Sequence, residues 1–262
     1  MTTATSTDPV SDWHTYHRVS RTATYSFLAA LPLILMYEIL VVLANERALA
    51  QVRVGAEVWL KQLLALIGST GLLAFGAAVL IVGVGIFWIE RKQRIPLRGR
   101  YFVWMILESA VYGVLVAIMV SGIVGAILTA APAPLRGAAL LLTAGAPQVE
   151  MGLSLKLALS VGAGVYEELL FRVILVGGLF WFFQSILPRR GTAYVLAALI
   201  GAVLFSWVHY VGAYGDAFAI GSFLFRFIFG LVLNVLFLLR GFGIAAWTHA
   251  LYDVMLVVGF FG

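Results

Sequence analysis

Uninterrupted apolar runs of about 20 residues recur along this sequence and limit what it can fold into. Only 11% of the residues are charged, against about 25% in a soluble domain. A chain in lipid must satisfy its backbone hydrogen bonds internally, and these runs do not alternate as barrel strands do, so helices are indicated. The sequence predicts an all-α, polytopic transmembrane helical bundle with seven spans, or eight if the fourth is broken. The predicted spans are 24–44, 69–89, 102–130, 151–184, 192–213, 217–239 and 243–261.

The spans divide the chain into three parts. Residues 1–22 are expected to form a polar N-terminal tail in which His14 and His17 are solvated. Residues 23–150 hold the first spans, and the first of these lacks a cleavage motif, so we expect it to be retained. Within this part, 45–68 mixes charges with apolar residues, as an amphipathic helix on the membrane interface does. Residues 151–262 hold the later spans.

Lysine and arginine are distributed unevenly between alternate loops. Ten fall on one side of the membrane and five on the other, which predicts a multi-pass cell-membrane protein with a cytoplasmic N-terminus. Basic residues in short loops set the orientation of a protein in the membrane, and membrane lipids are the expected partners. No nucleic-acid partner is expected. The chain has no cysteine, so disulfides, thiolate–zinc sites and a cysteine nucleophile are excluded. The sequence does not indicate whether the protein is a monomer or an oligomer.

Seven ionisable residues besides histidine fall inside or near the spans. Each costs about 2.5–3.5 kcal/mol near the bilayer centre, so we expect them to face the bundle interior in pairs. Glu38 and Arg226 each stand alone in a span and are expected to tie helices together, whereas Glu108 either does the same or snorkels to the interface. The full set is Glu38, Glu108, Glu167, Glu168, Arg172, Arg226 and Asp253.

The pattern Glu167-Glu168-x-x-x-Arg172 differs from the isolated charges. Glu168 and Arg172 are four residues apart, so they share a helix face and can pair. Glu167 is rotated by about 100° and keeps no local counter-charge. Burial without a counter-charge raises the pKa of a carboxyl toward the range of a general base, and the alternative is a charged cluster that only locks helices together.

Two histidines lie in later spans. His209 ends a Phe205-x-x-x-His pattern, and His249 begins a His-x-x-x-Asp253 pattern that places imidazole and carboxylate on one helix face. In the second pattern, Asp253 can fix the tautomer of His249, or both can reach one ligand. We expect Glu167, His209 and His249 to converge on one water-sized cavity, although a simple span count puts the two histidines at opposite ends of their helices.

These three motifs, in this order, resemble the CAAX protease and bacteriocin-processing enzyme family of intramembrane endopeptidases, which includes the Ras-converting CAAX endopeptidases. The resemblance covers about 164–253, so 151–262 is expected to be a catalytic transmembrane core with an interior cavity. It implies that Glu167 deprotonates a water, His209 orients that water and His249 stabilises the oxyanion. Asp253, where the structurally understood branch has Asn, would orient a protonated His249 or be protonated itself. Glu168, Arg172 and Phe205 would be supporting residues.

The resemblance implies a metal-free, glutamate-based hydrolysis of a peptide bond in a membrane-associated protein or peptide. One carboxylate and two histidines are also a legitimate zinc set, so zinc held by Glu167, His209, His249 and Asp253 is the alternative. The substrate could be a CAAX-type protein, a leader peptide or a C-terminal anchor. Two other functions stay open: an inactive family member acting as an immunity or scaffolding protein, and a proton-relay transporter.

Overall fold

The computed structural model describes residues 9–44, 52–66, 71–132, 151–212 and 215–261. Over these ranges the chain is all-helical, as predicted, with nine helices and no strand. Their bounds are α1 (Pro9–Val19), α2 (Ala23–Ala44), α3 (Gly55–Leu66), α4 (Gly71–Glu90), α5 (Gly99–Ala130), α6 (Leu153–Ile186), α7 (Arg190–Val208), α8 (Ile220–Arg240) and α9 (Phe242–Val257).

The N-terminal segment contains more local structure than the predicted polar tail, whereas the predicted interfacial segment forms one helix in its described part. In the N-terminal segment, α1 is an ordered helix whose Tyr16 and Val19 are buried, while His14 is exposed. The predicted interfacial segment 45–68 is described over 52–66, where α3 forms, and the rest of it lies outside the described residues. The polar sequence at the N-terminus thus forms a docked helix because its aromatic residues find partners in the bundle.

The outer surface of the bundle is apolar. Large side chains such as Ile89 and Trp181 are 74% and 76% exposed, an arrangement that water would penalise and lipid would not. Five helices, α2, α5, α6, α7 and α8, are long and apolar enough to cross a membrane. The protein is therefore an integral membrane protein, and the count of seven or eight spans stays a prediction.

The last helix, α9, lies inside the bundle and packs against α2, α5, α6 and α8. It has 16 residues, fewer than the about 20 that a perpendicular span needs, and most of its side chains from Gly243 to Ala250 are buried. It begins directly after Gly241, whose φ of +84° makes the sharp turn from α8. His249 is thus carried about 10 Å along an enclosed helix, which brings it to the depth of Glu167.

A buried ion pair joins α1, α5 and α8. Arg240 donates from Nε to Glu108 at 2.6 Å and from Nη2 to the other carboxylate oxygen at 2.8 Å. The same Nη2 donates to Ser20, and the Tyr16 hydroxyl donates to Glu108. Burial, and then the hydrogen bond to Glu108, raises the pKa of Tyr16 above its usual range. Glu108 therefore connects helices inside the bundle and does not snorkel to the membrane interface.

A second polar cluster lies between α2 and α3. The Glu57 carboxylate is fully buried and accepts hydrogen bonds from Arg53 at 2.7 Å, from Lys61 and from the Tyr37 hydroxyl. Arg53 also reaches Glu38 at 3.3 Å. Glu38 therefore ties α2 to the segment that enters α3, as its isolated position in an apolar helix predicted.

We predict that Gly164→Ala will separate α6 from α9. A Cβ at Gly164 would lie 2.5 Å from the Ala250 Cβ and 2.6 Å from its backbone nitrogen, so a helix must move. Overpacking of this kind costs about 1–3 kcal/mol. Thermal unfolding in detergent should show the loss, and any activity should fall with it because His249 precedes Ala250. Gly178→Ala in the same helix is the control, because its Cβ would meet nothing within 4 Å. Equal stability of the two variants would contradict the close contact.

Candidate active site

Helix α6 carries the two adjacent glutamates through wide helical turns. Two π-helical stretches, Ala163–Glu167 and Leu169–Val176, flank Glu168. In such turns the backbone bonds run from i to i+5, which alters the angle between successive side chains, and they occur frequently at functional sites. Here Glu168 is fully buried against α9, whereas the Glu167 side chain keeps 16% exposure and faces a pocket.

Glu168 and Arg172 form the buried pair that their spacing predicts. The Arg172 Nε lies 3.0 Å from a Glu168 carboxylate oxygen, and both side chains are almost wholly inaccessible. This contact is an ion pair without hydrogen-bond geometry, because among the described residues neither that Glu168 oxygen nor any of the three guanidinium nitrogens of Arg172 has a hydrogen-bond partner. The guanidinium carbon instead lies 4.4 Å from the centre of the Phe205 ring, so a cation–π contact covers the remaining charge. Phe205 thereby joins α7 to this pair.

His249 is held by Glu168 rather than by the aspartate of its own motif. Its Nδ1 lies 2.7 Å from the second carboxylate oxygen of Glu168. A carboxylate paired with arginine is an acceptor, so Nδ1 carries the hydrogen and Nε2 is left to face the pocket. There Nε2 lies 3.5 Å from Asp253 and 4.0 Å from Glu167. Asp253 therefore lies next to Nε2, the nitrogen that faces the pocket, and does not hold Nδ1.

His209 follows the last residue of α7 and is anchored by the backbone of the same helix. Its Nδ1 lies 2.8 Å from the carbonyl oxygen of Phe205. A carbonyl can only accept, so Nδ1 is the protonated nitrogen and the neutral ring presents a lone pair at Nε2. That Nε2 lies 3.9 Å from a Glu167 carboxylate oxygen, the same oxygen that faces His249.

The convergence of Glu167, His209 and His249 predicted from the sequence is present. Separations of 3.9 and 4.0 Å are too long for direct hydrogen bonds, but one water molecule can bond to both partners across such gaps. The pocket around them measures about 350 Å³. Asp253 and Phe205 also line it. Sequence analysis did not connect the other lining residues with the site: Ala163, Ser222, Phe225, Arg226, Phe229, Tyr252 and Leu256.

Arg226 was expected to tie helices, and it does something different. Its partners are Ser222 on its own helix, at 2.9 Å, and Asp216 in the segment just before α8. The spacing Ser222-x-x-x-Arg226 was a sequence signal for a local bond, but nothing in it indicated that the guanidinium borders the pocket.

The spacing of the same donor atoms bears on whether they could hold a metal ion. Within the described ranges, no group of three or more histidine, aspartate and glutamate side chains is arranged to hold a metal ion. Two ligands of one tetrahedral zinc ion lie about 3.4 Å apart, since each is about 2.0–2.1 Å from the metal. The gaps from Glu167 to the two histidines are wider than that. The free Nε2 atoms, each with its Nδ1 anchored, are nevertheless oriented as metal ligands commonly are.

The fold and the site together define a helical integral membrane protein with a carboxylate–histidine pocket lined by residues of α6, α7, α8 and α9, together with His209 at the end of α7. Residues 149–255, which contain all seven motif residues, match the model of the family described as type II CAAX prenyl endopeptidase Rce1-like. The match over this region agrees with the resemblance to the CAAX protease family that the motifs predicted. No curated protein and no solved structure gives a significant match.

We predict that Arg172→Ala will destabilise the protein strongly. The change leaves the Glu168 carboxylate buried without its cation, and breaking a buried pair in this way costs about 3–5 kcal/mol. Unfolding in detergent, followed by tryptophan fluorescence, measures the loss. Arg190→Ala removes the same charge from the exposed start of α7 and should change stability by less than about 0.5 kcal/mol. If both variants unfold alike, the Glu168–Arg172 pair does not stabilise the bundle.

Proposed function

We propose that this protein is an intramembrane endopeptidase that hydrolyses a peptide bond by attack of a water activated by Glu167. The observation that carries the proposal is that one Glu167 oxygen faces the Nε2 atoms of His209 and His249 across gaps that a water can bridge. The match to the family model supports the peptidase class. The substrate would be a membrane-associated protein or peptide, and the family's description makes a prenylated CAAX peptide the first to test.

In this mechanism Glu167 accepts a proton from the water as its oxygen attacks the substrate carbonyl carbon. His209 accepts a hydrogen bond from the same water through the lone pair at Nε2, which orients the attack. The carbonyl oxygen gains the negative charge and faces the protonated Nε2 of His249. When the C–N bond breaks, Glu167 returns its proton to the leaving amine, so no external acid is required.

Asp253 has a more specific role than the sequence suggested. Its carboxylate lies 3.5 Å from Nε2 of His249, while Glu168 holds Nδ1 from the other side. Carboxylates on both sides favour the imidazolium form that the oxyanion needs. An Asn at this position could donate directly to the oxyanion, whereas an ionised Asp stabilises the cation that does so. We propose the second arrangement for this chain.

We also propose that the site works without a metal. The separations between Glu167 and the two histidines, which exceed the spacing of two zinc ligands, support this, and zinc bound by Glu167, His209, His249 and Asp253 is the alternative to be tested. A bound zinc ion would supply Lewis-acid activation of the water.

For topology we propose the seven-span arrangement with a cytoplasmic N-terminus in the cell membrane. Contacts within the described residues support one basic end of the bundle. Asp12 in α1 bonds to Arg98 and Arg100 at 2.6 Å, and Arg21 reaches the carbonyl of Leu238 near the end of α8. Arg21, Arg98 and Arg100 are among the ten basic residues counted on the side that the sequence predicts to be cytoplasmic.

We predict that Glu167→Gln will abolish cleavage and leave the fold intact. The amide keeps the volume of the carboxylate but cannot accept the proton, and loss of a general base lowers rates by about 10²–10⁴-fold. The assay uses detergent-purified protein with a farnesylated CAAX peptide and a pool of N-palmitoylated apolar octapeptides, and mass spectrometry detects the fragments. Glu167→Asp is the matched variant, because it restores the base at a greater distance and should recover part of the rate.

Each result of this assay separates the proposed function from its alternatives. Undiminished cleavage by Glu167→Gln would remove Glu167 from the role of base. No cleavage of any probe by the unaltered protein would favour the scaffolding or proton-relay functions.

We predict that exhaustive chelation will leave cleavage intact. A glutamate-based site needs no ion, so EDTA and 1,10-phenanthroline should not lower the rate, and elemental analysis should find well under one metal per chain. The opposite outcome is specific: stoichiometric zinc that is lost together with activity and restores it would make the four site residues ligands.

A further inference from the structure

Arg226 borders the pocket, yet the proposed mechanism gives it no task. It is the arginine among the lining residues, and it shares the pocket with Glu167 and both histidines. Its Nη1 donates to Ser222 at 2.9 Å, its Nη2 pairs with Asp216, and its guanidinium carbon lies 5.3 Å from the centre of the Tyr210 ring. The side chain is 24% exposed, so the charge is accessible from the pocket.

The partner of Arg226 is easily exchanged. The Asp216 side chain is 55% exposed, and a solvated ion pair of this kind contributes little stability. Its backbone is fixed independently, because the Asp216 N–H donates to the His209 carbonyl at 2.8 Å. The carboxylate can therefore leave the guanidinium without unfolding the segment that carries it.

The remaining walls determine what else the pocket accepts. Phe225, Phe229, Tyr252 and Leu256 make one side apolar. The reacting centre itself contains the carboxylates of Glu167 and Asp253, which repel an anion. A ligand with a carboxylate could enter such a pocket only if a cation received it, and the fork of an arginine matches a carboxylate in two parallel bonds.

We propose that Arg226 binds a carboxylate of the peptide substrate, which displaces Asp216 from the guanidinium. This inference rests on the proposed endopeptidase function and adds a specificity-determining residue to it. The carboxylate could be the C-terminal α-carboxylate or an aspartate or glutamate side chain.

The test compares peptides that differ only in this charge. The apolar octapeptide pool is prepared with a free C-terminal carboxylate, as the C-terminal amide, and as the amide with one aspartate placed in turn at each position. Full-length protein in detergent cleaves each pool, and KM and kcat are measured separately. Charge-assisted bonds of this type change affinity by about ten- to a hundredfold, so KM for the carboxylate-bearing peptides should be lower by that factor.

Variants of Arg226 and Asp216 should change KM for carboxylate peptides in opposite directions. Arg226→Gln should raise KM for carboxylate peptides to the level of the amides and leave the amides unaffected. Asp216→Asn should lower KM for carboxylate peptides, because the internal competitor is gone. Arg190→Gln, at the far end of α7, removes an exposed arginine charge and should change neither. If Arg226→Gln folds poorly, Arg226→Lys keeps the charge without the fork and should give an intermediate KM.

The outcomes are distinguishable from failure of the proposed function. Equal KM for acid and amide pools with the unaltered protein overturns the carboxylate subsite, as does an equal rise for both pools in Arg226→Gln or a higher KM in Asp216→Asn. Discrimination by the terminal group assigns the α-carboxylate, and discrimination by aspartate position assigns a side chain. Absence of all cleavage by the unaltered protein overturns the endopeptidase itself.

Discussion

The Glu168 carboxylate holds the site together because it forms an ion pair with one residue and a hydrogen bond with another. One oxygen faces Arg172 at 3.0 Å on its own helix, and the other faces His249 at 2.7 Å on α9. In a medium that offers no water, neither partner has a substitute for it. Phe205 covers the guanidinium from α7, so three helices meet around a single carboxylate. The position of Glu167, the adjacent residue, follows from this arrangement.

Most residues of the site could be identified from the sequence, because an ionisable side chain in a membrane span costs free energy and is therefore rare. Glu167, His209 and His249 stood out as polar groups inside apolar runs, and spacings of four residues correctly paired Glu168 with Arg172 and put Asp253 beside His249. The all-helical class followed from the hydropathy, since only helices and closed barrels span a bilayer and the apolar runs do not alternate as barrel strands do. The catalytic roles of these residues remain proposals.

Other features depend on contacts between distant parts of the chain, and local patterns do not show them. The bond between Glu168 and His249 spans 81 positions, so the sequence indicated only Asp253 as a partner for that ring. Arg226 looked like any isolated charge in a helix, because its place beside the pocket is set by the packing of α8 against α7 and α9. The position of His249 along the bundle axis could likewise not be predicted from the sequence, since it depends on the turn at Gly241.

The wide turns around Glu168 have a consequence for how sequences of this kind vary. Elsewhere in a 34-residue apolar helix, one added or missing residue merely shifts which side chains meet lipid. Between Gly162 and Arg172 it would rotate everything beyond it by about 100°, and one of the two glutamates or the arginine would turn toward the hydrocarbon. Chain length in this interval is therefore constrained as tightly as residue identity, and related sequences should align across it without gaps.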